Sequence, residues 1–314
     1  IADFFDTSTK PEIPVTMNST STSASTSTEL GKLLGQHDAT ILFVGDIMLD
    51  RNVANVIRKV GFDKFFAGVR ELISSADVAV ANLEGPFTEY PSRTTDLTNK
   101  ELTFTFDPVL APQLAELGFD VLGLANNHTL NFGRDGLEQT RGYILGAGMK
   151  YYGDPTNGVG STSKETSTIV EKNGIKIGLI GFHEFSYVGL DQTLTQIDTL
   201  RPQVNVLFVT PHWGIEYQAS STKYMQKLAH QFIDHGADAV IGTHSHVVGT
   251  NEVYKNKPIF YSLGNFAFDQ YFSKEVMRGL ALSVAVSKSP DGSPVSTQYT
   301  PIFIDIRRDG ITIE

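Results

Sequence analysis

The chain has 314 residues, a net charge of −10 and no cysteine. That composition excludes disulfides and thiolate metal sites, and it argues against nucleic-acid binding, which rests on neutralising phosphates with clustered Lys and Arg. Any metal must therefore sit on His, Asp, Glu and Asn, a donor set that suits Mn, Zn, Fe or Mg.

Hydrophobic content is 40% and charged content 19%, as in an ordinary globular protein with a real core. No apolar run approaches the ~18 residues of a membrane helix. Residues 1–38 differ from the rest. Thr16 to Thr28 reads TMNSTSTSASTST, too poor in apolar surface to offset the cost of ordering it. This stretch reads as a flexible linker or stalk, with a short helix at 29–36. Ser/Thr stalks commonly join a membrane anchor to an extracellular domain, and the first residue is Ile, not Met. The expectation is an extracytoplasmic, cell-surface protein, anchored by a segment missing from this chain.

Residues 39–314 read as one ordered domain. The run 39–44 is apolar and β-branched and stops at Gly45-Asp46, as a buried strand does. Helical patterns follow at 52–60 and 62–74. A second strand, 76–81, leads into Asn82-Leu83-Glu84-Gly85-Pro86, and a third, 119–124, into Asn126-Asn127-His128. Asn173-Gly174 marks a hairpin between 167–171 and 175–182. The strand 204–209 ends at Pro211-His212-Trp213-Gly214. After a helix at 221–234, the strand 237–241 ends at Gly242-Thr243-His244-Ser245-His246. The tail reads as antiparallel strands. Strand and helix alternate in the first half, so the fold class is α/β with a mixed sheet packed against a second sheet.

In α/β sheets, functional residues gather beyond the carboxyl ends of the strands. Those ends carry Asp46, Glu84, Asn127 with His128, His212, and His244 with His246. One such residue would be turn chemistry. A whole series at successive strand ends could hold two cations ~3.5–4 Å apart, bridged by a carboxylate.

With these motifs in order, the chain resembles the CapA/PgsA family of bacterial capsule or poly-γ-glutamate synthesis proteins. That family is similar in fold to calcineurin-like metallophosphoesterases. The resemblance spans about residues 40–270. It rests on Gly45-Asp46-Ile47-Met48-Leu49-Asp50-Arg51, Asn82-Leu83-Glu84-Gly85-Pro86, Leu124-Ala125-Asn126-Asn127-His128, Pro211-His212-Trp213-Gly214-Ile215-Glu216-Tyr217, Gly242-Thr243-His244-Ser245-His246 and Ser262-Leu263-Gly264-Asn265-Phe266.

The resemblance implies a four-layer α/β/β/α sandwich with two divalent metal ions. Asp46 and His246 would bind the first and Glu84 would bridge. Asn127, His212 and His244 would bind the second. His128 would be the catalytic residue, protonating a leaving oxygen, or else a hydrogen-bonding neighbour of the ligands. One departure stands out: Met48 occupies the place where metallophosphoesterases usually carry the His of Asp-x-His. A thioether is a poor ligand for such cations, so the first metal is expected to be weak or absent. The resembled family also lacks that His.

Several neighbours are further candidates. Arg51 could grip a phosphate or carboxylate, or simply open a helix. Trp213 and Tyr217 could wall a substrate pocket, or be buried aromatics. Glu216 could orient a ligand histidine or cap a turn, and Asn265 could support the metal loops or set a turn. His183-Glu184 lies outside the matching motifs and is left out of the site. His37, His230 and His235 read as ordinary helix-face or solvent residues.

The expected function is a CapA-type hydrolase of capsule or poly-γ-glutamate biosynthesis, with hydroxide attack on a phosphoester, or an amide, at a dinuclear site. Its partners would be an anionic polymer or phosphoester substrate and membrane-bound polymer synthase subunits, with no nucleic acid. The alternative is a non-catalytic, polymer-binding accessory subunit of such a synthase.

Overall fold

In the computed structural model the first strand, β1 (Ala39–Ile47), shows how the layers are built. Successive strand side chains point to opposite faces. Ile41 and Phe43 enter one core cluster, while Leu42 and Val44 enter another. The structure describes residues 38–94, 102–160, 166–288 and 295–314. The Ser/Thr-rich stretch and the helix expected at 29–36 lie outside the described residues.

β1 is central to an eight-stranded sheet. On one side it pairs in parallel with β2 (Val78–Leu83), which leads to β3 (Val121–Gly123) and β4 (Lys150–Tyr152), also parallel. On its other side run β11 (Asn265–Ala267), parallel, and the antiparallel tail β12 (Arg278–Ser287), β13 (Ser296–Arg307) and β14 (Gly310–Ile313).

The second sheet has six strands, in the order β5-β6-β7-β8-β10-β9. Their ranges are β5 (Ser167–Lys172), β6 (Ile175–His183), β7 (Val206–His212), β8 (Ala239–Ile241), β9 (Asn251–Tyr254) and β10 (Lys257–Phe260). β5 and β6 form the expected hairpin. Asn173 and Gly174 have φ of 52° and 73°, the left-handed pair that a two-residue hairpin loop requires.

Three buried clusters separate four layers. The sheets face each other across Phe43, Val80, Leu179, Phe208 and Ile241. The outer face of the first sheet is covered by α1 (Arg51–Val60), α2 (Phe62–Phe65), α3 (Arg70–Ser74), α4 (Leu110–Leu117) and α5 (Gly133–Gly146). The outer face of the second, with Leu207, Val209 and Val240, is covered by α6 (Leu190–Leu200) and α7 (Lys223–Asp234). The architecture is the expected α/β/β/α sandwich.

The single helix expected at 62–74 is two pieces. Gly68 bridges to Thr312 beside β14, and a Cβ there would lie 2.4 Å from the Ile311 carbonyl oxygen. The chain must leave the helical path to make this contact. The short strands β4 and β11 were not expected; the other expected elements within the described residues match their positions to within a few residues, the ordinary uncertainty of helix and strand ends.

Candidate metal centre

β1, β2 and β3 run parallel, as do β6, β7 and β8, so their carboxyl ends carry the polar residues to one edge of the sandwich. Gly45 brings β1 against the loop before β11. A Cβ there would meet the Gly264 carbonyl oxygen at 1.8 Å, so only glycine fits. The next residue, Asp46, is thereby held between β2 and the His-x-His loop. Its Oδ1 accepts from Asn82 Nδ2 at 2.8 Å and its Oδ2 from the His244 backbone N–H at 3.2 Å.

Glu84, just past β2, has no side-chain hydrogen-bond partner among the described residues, although it is fully buried. Burial, and then the charge of Asp46, push its carboxyl well above the usual carboxylate range. Histidines 128 and 246 approach its Oε1 with Nε2 at 3.8 and 3.7 Å. A buried carboxylate without partners is costly unless a counter-charge joins it. Ligand atoms of Asp46, Glu84 and His212 all lie within 4.8 Å of one another. The residues present therefore fit a divalent cation.

The histidines divide into two groups. His212, at the end of β7, has Nε2 2.9 Å from Asn127 Oδ1 and 3.1 Å from His244 Nδ1. Its Nδ1 lies 3.0 Å from the Thr243 hydroxyl. His246 sits on the other side, with Nδ1 3.4 Å from Asp46 Oδ2. Asn265 sets the His246 tautomer. Its Nδ2 donates to the Val276 carbonyl at 3.0 Å, so Oδ1 is the atom that faces His246 Nδ1 at 2.9 Å. That leaves the Nε2 lone pair directed toward Glu84, the usual division of labour in a metal-ligating imidazole.

His244 and His246 have φ of 94° and 59°. Non-glycine residues in this region carry strain that persists where the surroundings impose it, often at functional sites. Here the surroundings include Trp213. Its indole N–H donates to the Tyr261 carbonyl at 2.9 Å, and both groups crowd Gly242, where a Cβ would lie 2.3 Å from that carbonyl oxygen. Trp213 is fully buried and stacks on Phe232 in the core under α7. This corrects its expected place in the pocket wall: it braces the histidine loop from behind.

His128 is also re-read. Its Nδ1 lies 3.1 Å from Asn131 Oδ1, and its ring packs on Phe104 at 4.4 Å. Burial pushes its pKa down to about 4. At neutral pH the ring is uncharged, with Nδ1 on Asn131 and Nε2 toward Glu84. Burial, then the charge of His246, takes His244 to about 3; burial, then His244, holds His212 well below the ordinary histidine value.

Met48 is fully buried in the core cluster on the helical side of the first sheet. Its sulfur accepts from the Asp50 N–H. It contributes nothing to the polar cluster, as its chemistry predicted.

Beside Glu84 opens a cleft with about 150 Å³ of room, walled by Arg51, Phe104, Tyr217, Glu216, Asp269 and Phe272 among others. Arg51 and Tyr217 thus lie where a substrate would approach. Glu216 is exposed at this mouth; His212 and His246 find their partners in Thr243, Asn127 and Asn265 instead. Asn82, Thr243, Asn131 and Asp269 were not singled out in the sequence. Asn82 and Thr243 carried a faint signal, each inside a quoted motif close to a ligand-type residue; Asn131 and Asp269 carried none. His183 pairs in register with His212, with its ring 6.2 Å away. It lies nearer the cluster than its sequence context suggested.

The bacterial capsule synthesis protein model (PGA_cap) matches residues 40–270. The capsule biosynthesis protein CapA of Bacillus anthracis is 30% identical over 75% of this chain and 61% of its own length. The PGA biosynthesis protein CapA of Bacillus subtilis (strain 168) is 30% identical over 74% of this chain and 64% of its own. The chain thus spans less than two thirds of the length of these curated relatives. A solved structure described as a putative 5'-nucleotidase from Staphylococcus aureus in complex with alpha-ketoglutarate shares the fold, with a TM-score of 0.53 and 14% identity over 86% of this chain and 55% of that one. The motifs, the sandwich and the family match agree: the chain belongs to the bacterial capsule synthesis protein family.

Proposed function

We propose that this protein is a metal-dependent, hydrolase-like component of capsule or poly-γ-glutamate synthesis, working at a two-cation site. The observation that carries the reading is Glu84: a fully buried carboxylate without a hydrogen-bond partner among the described residues, set between Asp46, His128 and His246. Asp46, Glu84 and His246 would hold one cation, and Glu84, Asn127, His212 and His244 the other. Cations held there would supply Lewis-acid polarisation and charge neutralisation for a phosphoester or an amide.

The protein's own residues do the rest. Asn82 and the His244 N–H orient Asp46. Asn265 and Thr243 orient His246 and His212. Asn131 orients His128, whose Nε2 would take a proton from the attacking water as its oxygen bonds to the phosphorus or carbonyl carbon, and pass that proton to the departing oxygen or nitrogen as its bond breaks. The substrate would be an anionic polymer or a phosphoester, the partners membrane-bound synthase subunits and the setting the cell surface. No helix among the described residues is long and apolar enough to cross a membrane.

The test is turnover of phosphomonoesters, phosphodiesters and γ-glutamyl amides with added Mn or Zn, in wild type and His128→Ala. Metal-dependent turnover that falls at least about 100-fold in the variant supports the reading. Absence of turnover with every substrate contradicts it. A non-catalytic, polymer-binding role is the second reading, and the burial of Met48 favours it, because one cation position lacks the histidine that metallophosphoesterases usually carry there. Retained biological function in an Asp46→Ala/His246→Ala double variant would favour that role.

A further inference from the structure

A thin layer of different character separates the core between the sheets from the polar cluster. Val80, Val121, Phe208 and Ile241 belong to that core. Two residues further on, and so on the same face, stand Asn82, Gly123, Thr210 and Thr243. Small and polar groups thus follow large apolar ones on four strands. They leave a cavity of about 20 Å³, lined by all four and by Tyr152. A Cβ at Gly123 would lie 3.0 Å from the Tyr152 hydroxyl, so glycine admits that hydroxyl to the layer, where Thr210 donates to it at 2.9 Å. One buried water needs roughly 10–15 Å³ and two to four polar partners. The cavity has the room, and the side chains of Asn82, Thr243, Thr210 and Tyr152 supply the partners.

The hydrogen bonds around His212 call for such a water. For its Nε2 to face a cation as a lone pair, Nδ1 must carry the ring proton. Two groups meet Nδ1: Thr243 Oγ1 at 3.0 Å and Asn82 Nδ2 at 3.3 Å. Other contacts fix the direction of the Asn82 amide. Its Nδ2 donates to Asp46 Oδ1 at 2.8 Å, and its Oδ1 accepts from Asn126 Nδ2 at 3.1 Å. Asn126 is fixed in turn, because its Oδ1 accepts from the His128 and Thr129 N–H groups at 3.1 and 3.0 Å. An amide nitrogen only donates, so Thr243 is the group that accepts from His212 Nδ1–H. The Thr243 hydroxyl hydrogen then lacks an acceptor, since His212 is the only hydrogen-bond partner of that oxygen among the described residues. The second Asn82 N–H likewise loses the lone pair it faced. Both residues line the cavity, and buried donors are rarely left unpaired.

We propose that this cavity is a binding site for one water, which accepts from the Thr243 O–H and the second Asn82 N–H, donates to the Thr210–Tyr152 hydroxyl pair, and so holds His212 with its proton on Nδ1. The inference deepens the proposed function and rests on it only for the cation at His212 Nε2; the water itself does not depend on that reading. Thr243 is a positioning residue, acting through His212. Without a cation the other tautomer has partners too: Nε2–H donates to Asn127 Oδ1 at 2.9 Å, and Thr243 turns its hydroxyl hydrogen to Nδ1. The water then donates to Thr243 and keeps its place on the hydroxyl pair. Rotation of one hydroxyl therefore separates the two tautomers, and no backbone movement is needed.

The test combines crystallography, NMR and calorimetry on the full chain. A crystal structure of the metal-free protein that resolves ordered water is expected to place one within about 3.2 Å of Thr243 Oγ1 and of Thr210 Oγ1 or the Tyr152 hydroxyl. In the Zn-loaded protein, nitrogen NMR of the imidazole rings is expected to show the His212 proton on Nδ1. Thr243→Val keeps the shape and removes the hydroxyl, and should weaken Zn binding about 10- to 100-fold in calorimetric titration. Thr243→Ser restores the hydroxyl and should return to within about 3-fold of wild type. A dry cavity overturns the proposal, as does a Zn-loaded His212 with its proton on Nε2. So does a Val variant that binds Zn as wild type does, or a Ser variant as weak as Val, which would assign the effect to packing. If Thr243→Val does not fold, the wild-type crystal and spectrum decide alone. Wild type that binds no Zn, with the water in place, contradicts the proposed function and leaves the water site standing.

Discussion

His246 Nδ1 and Asn265 Oδ1 lie 2.9 Å apart, and this contact decides which imidazole nitrogen faces Glu84. Asn265→Ala removes it, together with the bonds from Nδ2 to Gln270 and Val276. The expected result is a roughly 10- to 100-fold loss of Mn affinity, the usual effect of removing a group that orients a ligand. Calorimetric Mn titration measures it. Unchanged affinity would mean that His246 is not a ligand.

Glu84 gives a pH signature. Its carboxyl is raised in the folded protein, so its stabilising contribution is full below the unfolded value near 4.5 and is lost as pH rises through the folded value. Glu84→Gln has no such proton to lose. Without metal, its Tm relative to wild type is expected to climb as pH rises above about 4.5. Excess Mn should reverse the order by stabilising wild type alone. Thermal melts in chelator and in Mn check both halves.

The histidines act on the acid side. His128 and His244 are lowered to about 4 and about 3, and His212 lies well below its ordinary value. Their contribution is complete above the unfolded value near 6.5 and is lost as pH falls toward the folded values, because the unfolded chain takes up protons that the folded one refuses. Each such proton contributes a slope of about 1.4 kcal/mol per pH unit. Metal-free His128→Asn should show a flatter stability curve below about pH 6.5, by about one proton, in urea titrations.

Trp213 tests the re-reading of the pocket wall. As a fully buried brace, Trp213→Ala is expected to cost about 3–5 kcal/mol in denaturant unfolding. Trp213→Phe, which loses the bond to the Tyr261 carbonyl, should cost about 1–3 kcal/mol. A residue of the pocket wall would show much smaller losses.

The sequence made the ligand-type residues legible because each lies at or just past the carboxyl end of a strand, and parallel strands deliver those ends to one edge. It also made the four layers legible, through alternation such as Ile41 and Phe43 against Leu42 and Val44. Three things were not readable. Asn265 was named as a support for the metal loops, but not its partner: it reaches His246 from the first residue of β11, and sequence spacing does not reveal amide direction. The basicity of His128 depends on burial against Phe104, a segment that only the tertiary fold brings near. Trp213 was open between a pocket wall and a buried aromatic, and only the turn of the chain after β7, which takes it to the opposite side from His212 and into the core under α7, decides for the second.

The most direct measurement is the metal content of the purified protein after equilibration with Mn and removal of free ion, for wild type and Glu84→Ala. The account expects bound Mn in wild type, up to about two equivalents per chain, and at least about 100-fold weaker binding in the variant that lacks the bridging carboxylate. Wild type that retains no Mn, or a Glu84→Ala variant that retains as much as wild type, would contradict it.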